Sequence, residues 1–157
     1  MQIRKSNQEF NFDKYSIFKQ DIDPKQRAWI EVKGKALETN VRQLRTKLSN
    51  NCQFMAVVKA DGYGHDAKFV SDYAIKGGAS QLGVATLKEG IKLRSFGIKT
   101  PILILGNLHS KKDLITCFKN DLMPTISNIR ECLICNNIGK NFRVKFSLHL
   151  KAVYYTH

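Results

Sequence analysis

A chain of 157 residues with 43% apolar and 25% charged residues, 10 glycines and 3 prolines has the composition of one globular domain and excludes a disordered, collagen-like or low-complexity chain. The 26 Lys and Arg against 13 Asp and Glu leave a net charge of +13, but they fall one to three at a time with no long basic block and no interleaved aromatics, so nucleic acid is not an expected partner. The longest uncharged stretches, Gly77 to Leu87 and Thr100 to Ser110, hold eleven residues each, about half of what a membrane-crossing helix needs, so no membrane span is expected either.

Residues 1–26 carry few aliphatic side chains, mixed charges and Pro24, the pattern of an N-terminal extension that is flexible or loosely docked. The domain is expected over residues 27–151. Arg4 and Lys5 are followed by Asn, Gln and Glu rather than an apolar run, so no secretory signal is read and a cytoplasmic location is expected. In that compartment Cys52, Cys117, Cys132 and Cys135 are expected as reduced thiols.

Ala28 to Val32 reads as a short strand, and Leu37, Val41, Leu44 and Leu48 recur on one face of a helix from Lys35 to Leu48. Phe54 to Val58 is a continuous apolar run with β-branched residues, the signature of a strand buried on both faces of a parallel sheet; it ends at Lys59. Ala67, Val70, Ala74 and Ile75 repeat at helical spacing up to Gly77-Gly78, where glycine supplies a left-handed cap. Gln81 to Ala85 predicts the next strand and Leu87 to Phe96 the next helix, opened by the capping box Thr86-x-x-Glu89 and closed by Gly97. Ile102 to Leu105 leads into a helix from about Lys111 to Phe118, and Leu122 to Ile126 into one from about Asn128 to Asn136. The alternation of Phe142, Val144, Phe146, Leu148 and Leu150 predicts a last strand over 142–150.

Strand starts about 20 to 27 residues apart are those of strands joined by single crossover helices. The expected class is therefore α/β with parallel strands in about four to five βα units. Periodicity alone leaves an open doubly wound sheet and part of an eight-unit barrel as alternatives, and the chain is well short of the roughly 250 residues of a complete barrel. The first βα turn, Lys59-Ala60-Asp61-Gly62-Tyr63-Gly64-His65, is neither a G-x-G-x-x-G fingerprint nor a P-loop. A lysine directly after an apolar strand stands out, because burying its ammonium costs free energy unless it sheds its proton or gains a partner. At the C-terminal mouth of a parallel α/β fold such an amine suits Schiff-base chemistry; a lysine that snorkels to solvent is the other reading.

The segment Met55-Ala56-Val57-Val58-Lys59-Ala60-Asp61-Gly62-Tyr63-Gly64-His65 resembles the cofactor-lysine motif of the alanine racemases, fold-type III enzymes that use pyridoxal phosphate. In that family it reads A-V-V-K-A-x-A-Y-G-H-G; here Gly62 stands for the usual alanine and Asp66 for the last glycine. Trp29-Ile30-Glu31-Val32 resembles the family's opening strand, Leu82-Gly83-Val84-Ala85 its second and Pro101-Ile102-Leu103-Ile104-Leu105-Gly106 its third. The resemblance covers about residues 27–151. It implies a partial (β/α)8 TIM-type barrel, pyridoxal 5'-phosphate as cofactor, alanine as substrate, and interconversion of L- and D-alanine by a homodimer that supplies D-alanine for peptidoglycan. By the same resemblance Lys59 would hold the cofactor covalently and act as base on one face of the substrate α-carbon, and Tyr63 would hydrogen-bond the cofactor phosphate.

The family's second acid/base is a tyrosine of the partner subunit's C-terminal domain. Lys151 falls where the family reads H-L-K-x-D-T-G-M-x-R, and Ala152 to His157 depart from that pattern as a divergent tail. The expectation is a truncated chain, impaired as a racemase and in need of a complementing chain, with a non-catalytic cofactor-binding or decayed-gene fragment as the alternative. No metal site is expected: Cys132-Leu133-Ile134-Cys135 has C-x-x-C spacing but no second Cys/His pair, and reads as core thiols. His65 is expected to orient the turn, and His109 and His149 to be structural.

Overall fold

The computed structural model describes residues 2–6 and 29–151; residues 1, 7–28 and 152–157, and with them most of the expected extension and all of the divergent tail, lie outside the described residues. The strands are β1 (Gln2–Ser6), β2 (Trp29–Lys33), β3 (Met55–Val57), β4 (Gln81–Val84), β5 (Ile102–Asn107), β6 (Met123–Ile126) and β7 (His149–Leu150). The helices are α1 (Gly34–Arg45), α2 (Ala67–Gly77), α3 (Leu87–Ser95), α4 (Lys111–Lys119) and α5 (Ile129–Phe142), and Lys59–Tyr63 forms a separate tight turn.

Strands β3 to β7 lie side by side in chain order, every pair parallel. That order decides what periodicity left open. A doubly wound sheet reverses its strand order at a switch point, whereas a barrel adds each strand beside the last; no reversal occurs here, and the fold is a partial α/β barrel of TIM type. Its main core fills the space between sheet and helices: Val58, Leu82, Val84, Ile102, Ile104 and Ile126 from the strands meet Leu93, Leu114, Cys117 and Ile138 from the helices. Each fully buried aliphatic side chain there contributes about 1.5–3 kcal/mol.

The other face of the sheet is less covered. A Cβ on Gly83 would touch Met55 Sδ at 3.2 Å and Leu105 Cδ1 and Val57 Cγ2 at 3.5 Å, so these side chains share that face. Val57 is 39% exposed, which corrects the expectation of a β3 buried on both faces: β3 is an edge strand, and only Val58, 1% exposed, is fully enclosed.

Three other expectations change. Strand β2 is displaced by one residue and pairs in parallel with β1, outside the five-stranded sheet. Helix α1 ends at Arg45, and its Leu44 is 56% exposed, because α1 docks on α2 rather than on the sheet. That docking is close. A Cβ on Gly77 would come within 2.7 Å of Val41 Cβ and 2.8 Å of Glu38 O, so only glycine lets the two helices approach so far. The expected strand over 142–150 is reduced to His149–Leu150. Phe142 ends α5 instead, held by its ring against Phe118 at 4.9 Å, while Phe146 meets Phe118 edge-on at 5.4 Å. Of the alternating residues, Phe142 is the last of the helix and Phe146 follows it into the same aromatic cluster.

Candidate active site

Val58 N–H still donates to Gly83 O at 2.8 Å, extending the β3–β4 ladder by one residue. Val58 turns its side chain into the core, and Lys59 begins a turn at the C-terminal end of the sheet. Ala60, Asp61 and Gly62 take φ, ψ of 51°, 48°; 54°, 46°; and 64°, 38°, and Tyr63 takes φ 54°. This is one turn of left-handed helix, closed by Gly62 N to Val58 O and Gly64 N to Ala60 O, each at 3.0 Å. Left-handed backbone costs about 1–2 kcal/mol for each residue other than glycine.

Side chains brace the turn. His65 Nδ1 stands 3.1 Å from Gly62 O and donates to it, which fits the expected orienting role of this histidine. Asp61 Oδ1 accepts from Ala67 N at 3.3 Å and lies 3.4 Å from Lys92 Nζ. Asp66 Oδ1 accepts from Phe69 N at 2.9 Å and caps α2. Glu89, third residue of α3, accepts from Ala60 N at 2.7 Å through Oε1 and from Ala85 N and Thr86 N at 2.8 and 2.9 Å through Oε2. Burial pushes the Glu89 carboxyl upward, but the N–H groups of Ala60, Thr86 and Ala85 outweigh it and hold the group below the ordinary carboxylate value.

Lys59 is half-buried, and its Nζ makes no hydrogen bond or ion pair among the described residues. It lies 6.0 Å from the centroid of the Tyr63 ring, at the limit of a cation–π contact. Tyr63 is 58% exposed. The turn thus puts an unpaired amine beside an accessible phenol. A cleft of about 340 Å³ adjoins it, lined by apolar Val58, Val84 and Leu93 and by charged Asp61, Glu89 and Lys92. A second cleft of about 570 Å³, lined by Cys132, Cys135, Arg143 and Phe146, lies at the opposite edge of the sheet.

The chain also aligns with known proteins in sequence and in structure. Residues 32–154 match the family model of the alanine racemase N-terminal domain. The chain belongs to the alanine racemase family. It is 51% identical over 131 residues to the alanine racemase of Prochlorococcus marinus, covering 83% of this chain and 34% of that protein. To the alanine racemase of a Nostoc species it is 49% identical over 112 residues, 71% of this chain and 29% of the relative. Among solved structures, the alanine racemase of Clostridium difficile 630 superimposes with a TM-score of 0.68 at 31% identity, over 73% of this chain and 30% of that one. The Streptomyces coelicolor alanine racemase gives a TM-score of 0.66 at 30% identity, over 76% and 32%. The chain spans about a third of the length of these racemase relatives.

Within this member of the family the structure brings Lys59 and Tyr63 together on one turn, as their spacing allowed. Glu89, Asp61 and Lys92, which also meet there, were not singled out in the sequence as site residues. Glu89 was visible only as a helix cap; its bond to Ala60 N, 29 residues away, exists because β3 and β4 are neighbours. His109 Nδ1 pairs with Glu131 Oε1 at 3.0 Å, a structural use of that histidine. Of the C-x-x-C pair only Cys135 is in the core, where burial first, and then Cys132 and Glu131, push its thiol up to about 11; Cys132 is exposed, contrary to expectation. Among the described residues no group of three His, Cys, Asp or Glu could hold a metal ion, and no helix is long and apolar enough to cross a membrane.

Proposed function

We propose that these residues form the lysine face of an alanine racemase site, with pyridoxal 5'-phosphate held on Lys59 and L- and D-alanine as the substrate pair. The observation that carries the reading is the unpaired Lys59 amine set beside the Tyr63 phenol on a left-handed turn at the C-terminal end of a parallel strand. This donor set fits the cofactor: an amine without an ion pair is available to an aldehyde carbon, and a phenol hydroxyl donates to a phosphate oxygen. When bound, pyridoxal phosphate supplies an electron sink that lets the α-proton of an amino acid leave. Lys59 Nζ takes or returns a proton at the α-carbon on its own face, and Tyr63 Oη anchors the phosphate. Inversion also requires an acid/base on the opposite face. The reading assigns that group to the rest of a racemase assembly, a homodimer or a complementing chain, and places the protein in the cytoplasm as a source of D-alanine for the cell wall.

A second reading is cofactor binding without racemisation. One experiment separates them. The purified chain is mixed with pyridoxal phosphate, scanned for a visible absorption band, reduced with borohydride and peptide-mapped beside Lys59→Ala, and alanine racemisation is assayed in parallel. We expect a label on Lys59 that the variant lacks. Such a label without racemisation favours the second reading, and equal labelling of surface lysines in both proteins overturns both.

A further inference from the structure

The Lys59 turn carries three non-glycine residues in left-handed backbone, Ala60, Asp61 and Tyr63, a conformation that is unfavourable for each of them. The bonds from Gly62 N to Val58 O and from Gly64 N to Ala60 O close the turn on itself but do not fix its tilt against the sheet. Glu89 supplies that fixing. Its Oε2 is locked by the N–H groups of Ala85 and Thr86 just beyond β4, and its Oε1 takes the Ala60 N–H, the peptide directly after Lys59. One carboxylate therefore joins the ends of two neighbouring βα turns, and its three N–H donors favour the charged form.

We infer that Glu89 is a positioning residue for Lys59: its carboxylate clamps the left-handed turn to the end of β4 and so sets where the lysine amine stands at the mouth of the sheet. Glu89 makes no contact with the amine itself, so it acts through Ala60 alone. The inference rests on the reading of Lys59 as the cofactor amine, and its test must fail separately from that reading.

The fold contains a matched control. Glu131 is also the third residue of its helix and also accepts a backbone N–H, from Ser127 at 2.8 Å through Oε2, while its own N–H donates to Asn128 Oδ1 at 2.9 Å and its Oε1 pairs with His109 Nδ1 at 3.0 Å. Its backbone partner Ser127 lies just beyond β6, three strands along the sheet from β3 and the Lys59 turn. Glu131→Gln thus removes the same kind of carboxylate without touching Ala60.

Amide hydrogen exchange at Ala60 and the rate of borohydride-trapped pyridoxal phosphate labelling at Lys59 are compared in the parent chain, Glu89→Gln and Glu131→Gln. We expect Glu89→Gln to speed Ala60 exchange and slow Lys59 labelling by about tenfold each, with Glu131→Gln within about twofold of the parent on both. Equal behaviour of the two variants would overturn the inference, because a general loss of stability would then account for both. If the parent takes no label at Lys59, the cofactor reading fails, and Ala60 exchange alone decides the clamp: fast exchange confined to Glu89→Gln supports it, equal exchange removes it. Should Glu89→Gln not fold, Glu89→Asp, which keeps the charge but shortens the reach, is read by the same two outcomes.

Discussion

Two carboxylates, Glu89 and Glu131, gather backbone N–H groups at the starts of α3 and α5, and both are held below the ordinary carboxylate value of 4.5 although burial alone would raise them. For Glu131 the opposing groups are Ser127 N–H, His109 and Asn128. A carboxyl depressed in the folded state stabilises fully above its unfolded value, and that contribution is lost as pH falls from there through the folded value. The melting temperature is therefore expected to drop as pH is lowered below about 4.5, and a Glu89→Gln/Glu131→Gln double variant to start lower but fall less steeply. Parallel pH profiles of the two proteins would contradict this. Ser71 is the opposite case: its hydroxyl is fully buried and has no hydrogen-bond partner among the described residues. Ser71→Ala removes an unsatisfied polar atom and is expected to raise stability by about 1 kcal/mol, seen as a melting temperature higher by a few degrees.

Helix α2 carries two contacts of different kinds, the Asp66 cap at its start and the glycine contact with α1 at its end. Gly77→Ala would press a methyl into Val41 and Glu38 O and is expected to cost about 1–3 kcal/mol, read from urea unfolding. An unchanged midpoint would mean that α1 shifts freely. The elements from Gln81 to Ile126 were legible because their periods of 2 and 3.6 are set by residues that pack locally, and Thr86-x-x-Glu89 marked a helix start that the structure contains as a full capping box. The left-handed turn was not legible: Ala60, Asp61 and Tyr63 carry no glycine signal, and their backbone is dictated by bonds to Val58, Glu89 and His65 that only the fold assembles. The strand expected over 142–150 failed for the converse reason, since alternating Phe142, Val144 and Phe146 satisfy a strand pattern while Phe142 closes α5 and Phe146, beyond the helix, packs on Phe118.

The sheet as a whole has two outer strands, β3 and β7, with no further partner among the described residues. Val57 on one and Leu150, 72% exposed, on the other present apolar side chains at those edges, which favours strand-to-strand association. The net charge of +13 opposes it, and salt screens that repulsion. Association of the purified chain is thus expected to grow with ionic strength, followed by light scattering, and Leu150→Lys to reduce it; scattering that falls with salt in the parent would point to ion pairing instead.

Because β3 to β7 stand in the sheet in the order in which they are synthesised, every strand after β3 pairs with the strand that precedes it in the chain. The bond from Ala60 to Glu89 closes within 29 residues. Every residue that braces the lysine turn therefore lies between β3 and α3, ahead in the chain of the strands that widen the mouth around it.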